Sequence, residues 1–327
     1  MRLPQKLRDA IQQQTEGLDR TSLAQASAEL TRHYKTAGVK LPALTTSAQR
    51  AAYLAVRLPA TYAANWRVFS ELRKLAPESD IISVLDLGSG PGTSLFAAAE
   101  VFPSIQQATA IENDAALIGI ARKLAAQSAV PGNAGWVRQD LRRGLTCVPH
   151  DLVVISYALG ELPPSAAATL VRQAWNCARQ FLVILEPGTT PGFGVITVAR
   201  SLLIAVDAHI LAPCPHAAAC PLASTDDWCH FAQRLERTSQ HRQLKGGALG
   251  YEDEKFSYLV ACRQNLTPAG ARILRHPQKR GGHVELTLCS PGGIESRTVA
   301  RSQKQDYRSA RKAEWGDAWE PGKSERS

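Results

Sequence analysis

Two periodicities divide the chain. Up to about residue 76 apolar side chains recur at helical spacing (Leu7, Ile11, Leu18, Leu23, Ala26 and Leu30), with a break at Gly38 and Pro42. A further helix is predicted from Ala63 to Leu75, closed by Pro77. Beyond it the pattern changes to short aliphatic runs without alternation, as expected of strands buried on both faces. The first, Ile81 to Leu87, ends in a glycine-rich turn and is followed by a helix over Ser94 to Val101. The same grammar repeats at Ala108 to Glu112 with a helix over Ala115 to Gln127, then at Trp136 to Arg138, Leu152 to Ser156 and Phe181 to Glu186.

Strands alternating with helices predict a parallel sheet, so the fold class is α/β, a Rossmann-like sheet. A helix from about Phe193 to Ala212 then runs into a segment rich in Cys, Pro and His, and later strands are expected at Phe256 to Cys262 and His283 to Leu288. This places a cysteine-rich insertion, about 205–250, between strands five and six. The expected organisation is a helical region over 1–78, the α/β domain over 79–293 and a basic tail over 294–327.

Charge follows that division. The 327 residues carry a formal charge of +9. Residues 1–78 hold 12 Lys and Arg against 6 Asp and Glu, residues 79–262 hold 13 against 16, and residues 263–327 hold 13 against 7. Basic flanks around a slightly acidic centre suit a protein that grips a polyanion while its core holds a small cofactor, although dispersed surface charge has the same net sum. No apolar run reaches the ~18 residues of a membrane span. The start, Met1-Arg2-Leu3-Pro4-Gln5-Lys6, lacks an apolar signal core, and Asp9 and Glu16 are unlike an organelle transit peptide, so a bacterial cytoplasmic location is expected.

The chemistry begins at Val84-Leu85-Asp86-Leu87-Gly88-Ser89-Gly90-Pro91-Gly92. A strand ending in an acidic residue and then Gly88, Gly90 and Gly92 lets the backbone turn sharply beneath a nucleoside-bearing ligand. The third glycine falls one place earlier than in a dinucleotide loop, where a helix N-terminus faces a pyrophosphate. S-adenosylmethionine has no phosphate and is the predicted ligand. Glu112, at the end of the second strand, is placed to accept from both ribose hydroxyls, and Asp140, after the third, from the adenine amino group. The structural alternative for Asp140 is a helix N-cap before Leu141.

Seven cysteines in a chain without an export signal do not suggest a disulfide framework. Cys214, Cys220 and Cys229 cluster with spacing C-x5-C-x8-C, wider than zinc knuckles and closer to the irregular thiolate spacing of iron–sulfur sites; zinc is the alternative. Spacing alone leaves Cys262 and Cys289 both open as a fourth ligand. His216 and His230 are expected as ordinary chain-bonded histidines, and Cys147 and Cys177 as small buried hydrophobes.

Several stretches are similar to the methyltransferase-like proteins associated with the mitochondrial ribosomal small subunit, and to their bacterial homologues. They are Arg57-Leu58-Pro59-Ala60-Thr61-Tyr62-Ala63-Ala64, the glycine loop, Ser156-Tyr157-Ala158-Leu159-Gly160-Glu161-Leu162 and Leu185-Glu186-Pro187-Gly188-Thr189-Thr190-Pro191-Gly192-Phe193. Others are Pro213-Cys214-Pro215-His216, Trp228-Cys229-His230-Phe231, Lys255-Phe256-Ser257-Tyr258 and Trp315-Gly316-Asp317-Ala318-Trp319. The resemblance implies a [4Fe-4S] cluster held by four cysteines, with Cys289 as the fourth, and association with the ribosomal small subunit and its 16S-type RNA during assembly. Methyl transfer is plausible on that resemblance. No catalytic residue is assigned, because the Asn/Asp-Pro-Pro-aromatic turn of amine methylation is replaced by Ser156-Tyr157-Ala158-Leu159. An assembly factor that binds S-adenosylmethionine and RNA without turnover is the competing reading.

Overall fold

The computed structural model describes residues 1–35, 44–245, 249–320 and 322. The expected break at Gly38 and Pro42 lies outside them. The amino-terminal residues form α1 (Gln5–Thr15), α2 (Arg20–Lys35), α3 (Ser47–Ala52) and α4 (Leu58–Leu75), the last two joined by a π-helical turn over Tyr53–Arg57. Pro59 accounts for the wider turn, since it has no N–H to donate and its ring crowds the carbonyl four residues back.

The central sheet has eight strands. These are β1 (Ser83–Leu87), β2 (Gln107–Glu112), β3 (Gly135–Arg138), β4 (His150–Ser156), β5 (Ala178–Pro187), β6 (His209–Ala212), β7 (Phe231–Glu236) and β8 (Tyr251–Cys262). Their order is β3-β2-β1-β4-β5-β8-β6, with β7 also paired to β8. The first five are mutually parallel, and β8 runs antiparallel beside β5. This is the class I methyltransferase arrangement. Helices α5 (Thr93–Val101), α6 (Ala115–Ala125), α7 (Pro164–Cys177) and α8 (Thr190–Ile204) fill the connections, and the short α9 (Ser239–Lys245) links β7 to β8.

Period-two alternation splits the strands between two cores. Val84, Leu152, Val154, Val183 and Leu185 pack with α4 and α5, whereas Leu85, Val153, Ile155, Leu182 and Ile184 pack with α7 and α8. Both faces are covered, which is why the sequence reads as unbroken aliphatic runs.

The cysteine-rich segment lies between β5 and the strand expected at Phe256 to Cys262, here β8, but that interval also holds β6 and β7. The helix expected to run to Ala212 ends at Ile204. His209–Ala212 is a four-residue strand lost in the apolar run that follows α8. The expected boundary at 293/294 is also crossed. A second sheet is built from β9 (Ala271–Ile273), β10 (Gln278–Lys279), β11 (His283–Ser290), β12 (Gly293–Ala300) and β13 (Ala318–Trp319), with α10 (Lys304–Lys312) against it. β11 and β12 pair along their full length. Val284, Leu286, Leu288, Val299, Ala310 and Trp319 form its own small core, so most of the expected tail is a folded β unit.

Arg272 fixes that unit to the rest. Its buried guanidinium donates to Glu71 of α4 at 2.6 Å, to the Pro213 carbonyl at 3.1 Å and to the Gly316 carbonyl at 2.9 Å. Removing one partner of such a buried pair leaves an uncompensated charge and costs about 3–5 kcal/mol.

Candidate functional site

Sheet order reverses between β1 and β4, and a cleft of about 720 Å³ opens over the carboxyl ends of the strands there. Gly88, Gly90, Glu112 and Asp140 line it together, with Ser156 and Tyr157 on the β4 side. The loop is anchored by the Gly88 and Ser89 amides, which donate to the Ile111 carbonyl at 2.9 and 3.1 Å. Gly88, Gly90 and Gly92 all have positive φ (74°, 53° and 88°). A Cβ on Gly88 would stand 2.7 Å from the Ala158 Cβ, and one on Gly92 2.9 Å from the Trp136 ring.

The carboxylates are less simply placed. Glu112 accepts from the Gly90 amide at 2.8 Å through one oxygen and from the Asn113 and Asp114 amides at 2.7 and 2.8 Å through the other. It thus props the glycine loop while lining the cleft. Asp140 caps the 3-10 turn Leu141–Arg143 by accepting from the Arg142 amide, and it clasps the Arg142 guanidinium at 2.7 Å. That bond, with the backbone one, holds its carboxyl down at about 2. The N-cap alternative is therefore the role Asp140 plays here, and Arg142 covers its oxygens.

Asp86 is fully buried beside Glu112, and neither of its oxygens has a well-formed hydrogen bond among the described residues. Burial, then the Glu112 charge, pushes its carboxyl up to about 8, opposed by the neighbouring Ser94 hydroxyl. The buried hydroxyls of Ser89 and Thr93 are likewise unpartnered. Orphaned acceptors and donors around a glycine cradle fit a ligand carrying hydroxyls and an ammonium group, as S-adenosylmethionine does.

Sequence reasoning missed the walls supplied from outside the strands. Tyr53, in the π-helical turn, and Thr61 line the same cleft; the Arg57–Ala64 stretch and its proline were the only signal. It also missed Glu186 at the end of β5. This buried carboxyl accepts from the Leu159 and Gly160 amides at 2.9 and 3.2 Å and so fixes the turn after β4. Burial pushes it up to about 8. Tyr157 takes φ 57°, unusual for a non-glycine residue, and its hydroxyl donates to Glu254 at 3.1 Å, which in turn meets Arg57 at 3.2 Å.

A second cavity, of about 40 Å³, is lined by Cys214, Cys220, Cys229 and Cys289. Three thiols come from the segment between β6 and β7, and the fourth from β11 of the second sheet. Arg200 secures the segment by donating to the His216 and Ala218 carbonyls at 2.8 and 2.7 Å, and Trp228 donates to the Gly188 carbonyl at 3.0 Å. Burial, then the Cys214, Cys220 and Cys289 sulfurs, raises the Cys229 thiol well above its ordinary value, and burial pushes Cys289 up to about 12. Cys262 stands apart at the other end of β8, opposite Phe181, with its thiol on the Gln264 carbonyl at 3.1 Å. Among the described residues no three His, Cys, Asp or Glu side chains are gathered closely enough to chelate one metal ion. Cys147 and Cys177, expected as separate buried hydrophobes, are joined in a disulfide between the loop before β4 and the end of α7. Only the folded chain brings the two together.

The sequence profile of the family described as Mitochondrial small ribosomal subunit Rsm22 matches residues 47–320. The chain is 31% identical over 284 residues to the human ribosome assembly protein METTL17, mitochondrial, covering 81% of this chain and 61% of that protein. It is 27% identical over 330 residues to Rsm22-cox11 tandem protein 2, mitochondrial, of Schizosaccharomyces pombe, covering 83% of this chain and 43% of that protein. The chain thus spans less than two thirds of the length of these relatives. Among solved structures, magnesium protoporphyrin IX methyltransferase from Synechocystis with bound SAH aligns at TM-score 0.42 and 14% identity, over 64% of this chain and 85% of that one. A putative RNA methyltransferase from Pyrococcus horikoshii aligns at 0.41 and 12%, over 75% and 96%. The expected bacterial cytoplasmic location is overturned, because the curated relatives are mitochondrial proteins of eukaryotes. No helix among the described residues is long and apolar enough to cross a membrane. With the profile matched over most of its length, this chain belongs to the mitochondrial small ribosomal subunit Rsm22 family.

Proposed function

We propose that the chain binds S-adenosylmethionine in the cleft over β1, β2 and β4 and acts with small-subunit ribosomal RNA during ribosome assembly, methylating it. The observation that carries the cofactor reading is the glycine cradle with Ser89 and Thr93 lining the cleft, their buried hydroxyls without a partner within the described chain, and Asp86 buried behind them. The assembly reading comes from the relatives, named as ribosome assembly proteins in human and budding yeast.

S-adenosylmethionine supplies an activated methyl on a sulfonium, so the protein's task is positioning and exclusion of water. Glu112, already fixed by three backbone amides, would hold the ribose; Asp86 would meet the ammonium; Asp140 would reach the adenine only by sharing its oxygens with Arg142. Glu186 keeps the turn after β4 rigid, and the N-terminal Tyr53 and Thr61 close the other wall.

Four thiols around one cavity, three of them spaced C-x5-C-x8-C rather than as tight knuckles, suit the several metal atoms of a [4Fe-4S] cluster better than one zinc. Cys214, Cys220, Cys229 and Cys289 would hold it, and Cys262 would not. Such a group would tie the β9–β13 sheet to the methyltransferase-like domain.

A second reading, binding without turnover, is favoured by Tyr157. Its hydroxyl is committed to Glu254, and no Asn/Asp-Pro-Pro-aromatic turn stands there. Incubation of the metal-intact protein with methyl-labelled S-adenosylmethionine and immature small subunits separates the two. Label in the RNA, absent with Gly88→Arg, supports methyl transfer. Particles that carry the protein without label support the second reading, and no association with particles contradicts both.

A further inference from the structure

We propose that the outer face of α10, together with the β10–β11 turn, is the surface that docks the phosphate backbone of small-subunit RNA. The inference rests on the assembly reading above and assigns that reading a surface.

Arg301, Lys304, Arg308 and Arg311 follow one another at intervals of three, four and three residues. Lys304, Arg308 and Arg311 have the spacing of one face of α10, and Arg301 belongs to the 3-10 turn before it, from which the chain bends at Lys304 (φ 33°). All four are exposed, and none has a carboxylate partner among the described residues. At the helical rise the three on α10 make a row of cations about 10 Å long, with Arg301 beyond the bend. The opposite face is fixed, with Ala310 buried and Tyr307 packed against the core of the second sheet.

The row is extended at its start. The Arg301 amide donates to the Gly282 carbonyl at 2.9 Å, and the Arg280 amide to the His283 carbonyl at 2.9 Å. These bonds hold the β10–β11 turn, with exposed Lys279 and Arg280, beside the beginning of the row. The cations therefore sit on a fixed β unit that Arg272 ties to α4, not on a loose tail.

Chemistry favours a polyphosphate over a protein partner. Protein interfaces are depleted of lysine, and although arginine is enriched in them they centre on apolar and aromatic anchors. In the described part of residues 263–320 the one large hydrophobic side chain exposed is Ile294, at the far end of the β11–β12 hairpin. Evenly spaced point charges without anchors are what backbone contacts require, and each contact adds to the salt dependence of binding.

The test is fluorescence anisotropy of a fluorescein-labelled 16S-type rRNA transcript with the full chain, across a range of KCl. Arg301→Ala, Lys304→Ala, Arg308→Ala and Arg311→Ala are combined in one variant. Exposed cations elsewhere, Lys74→Ala, Arg122→Ala, Lys123→Ala and Arg172→Ala, remove the same charge in a control. The first variant is expected to bind at least tenfold more weakly near physiological salt. Its slope of log K against log salt should shrink by about three, from ~0.7–0.9 per lost phosphate contact. The control should stay close to the wild type. If the fourfold variant melts early, Lys304→Gln with Arg308→Gln should give about half the slope change. Equal losses in the variant and the control would reduce the effect to net charge and overturn the assignment. An unaltered variant would also overturn it and leave the face to an acidic protein. A wild type that does not bind the transcript at all would sink the assembly reading along with it.

Discussion

At Gly88 and Gly90 the same residue type answers two demands. Gly88 is squeezed: a methyl there meets the Ala158 Cβ at 2.7 Å. Gly90 has room, with nothing nearer than the Tyr53 hydroxyl at 4.0 Å, but that room is the cleft itself. Gly88→Ala should therefore lower the melting temperature, by a clash added to about 1 kcal/mol of left-handed strain. Gly90→Ala should fold with the strain cost alone and lose S-adenosylmethionine affinity at least tenfold. Thermal melts and titration calorimetry on both variants check this; a Gly90→Ala protein with unchanged affinity would place the ligand elsewhere. The buried carboxyls make a second prediction at this scale. Asp86 and Glu186 are both raised to about 8 from ordinary values of 3.8 and 4.5, chiefly by burial. A raised acid is neutral in the folded chain and ionised in the unfolded one, so its stabilisation is complete below the unfolded value and is lost as pH rises through the folded value. The ligand-free protein should lose stability progressively as pH rises between roughly pH 5 and 8. Asp86→Asn combined with Glu186→Gln should flatten melting temperature against pH in that window. A wild-type curve that rises there would contradict the burial argument.

Among the elements, those with strong periodic signals were legible in the sequence: β1, β2, β4 and β5 and the helices between them. Apart from β3, expected at Trp136 to Arg138, the short or solvated ones were not. β6 is four residues inside an apolar stretch, and β12 is almost wholly exposed, so neither carries an alternation to read. The site divides the same way. The glycine loop and Glu112 are local patterns, whereas Tyr53, Arg142, Glu186 and the Cys147–Cys177 bond reach their places through contacts the chain makes only when folded. Cys289 belongs to both classes. Spacing left it level with Cys262, and the register of β8 and β11 puts it beside Cys214, Cys220 and Cys229 while Cys262 sits at the opposite end of its strand. The cluster reading therefore predicts that anaerobically purified protein is brown, absorbing near roughly 400 nm. Cys289→Ser should lose iron and melt earlier, because the metal's binding energy is also folding energy; Cys262→Ser should keep its iron. A colourless protein with stoichiometric zinc, or equal iron loss in both variants, would contradict the four-thiol assignment.

For the whole molecule, the arrangement joins two parts for which different partners are proposed. The methyltransferase-like domain carries the cleft, and the β9–β13 sheet carries the basic face of α10. Arg272 spans the two, and so does the group of four thiols, three from one part and one from the other. The cofactor reading and methyl transfer both depend on what occupies the glycine cradle. The direct measurement is calorimetric titration of S-adenosylmethionine into the purified, metal-intact protein, with Gly88→Arg as the reference. One molar equivalent of heat at micromolar affinity, lost in the reference, is predicted. No binding to the wild type, or equal binding to both, would contradict the account.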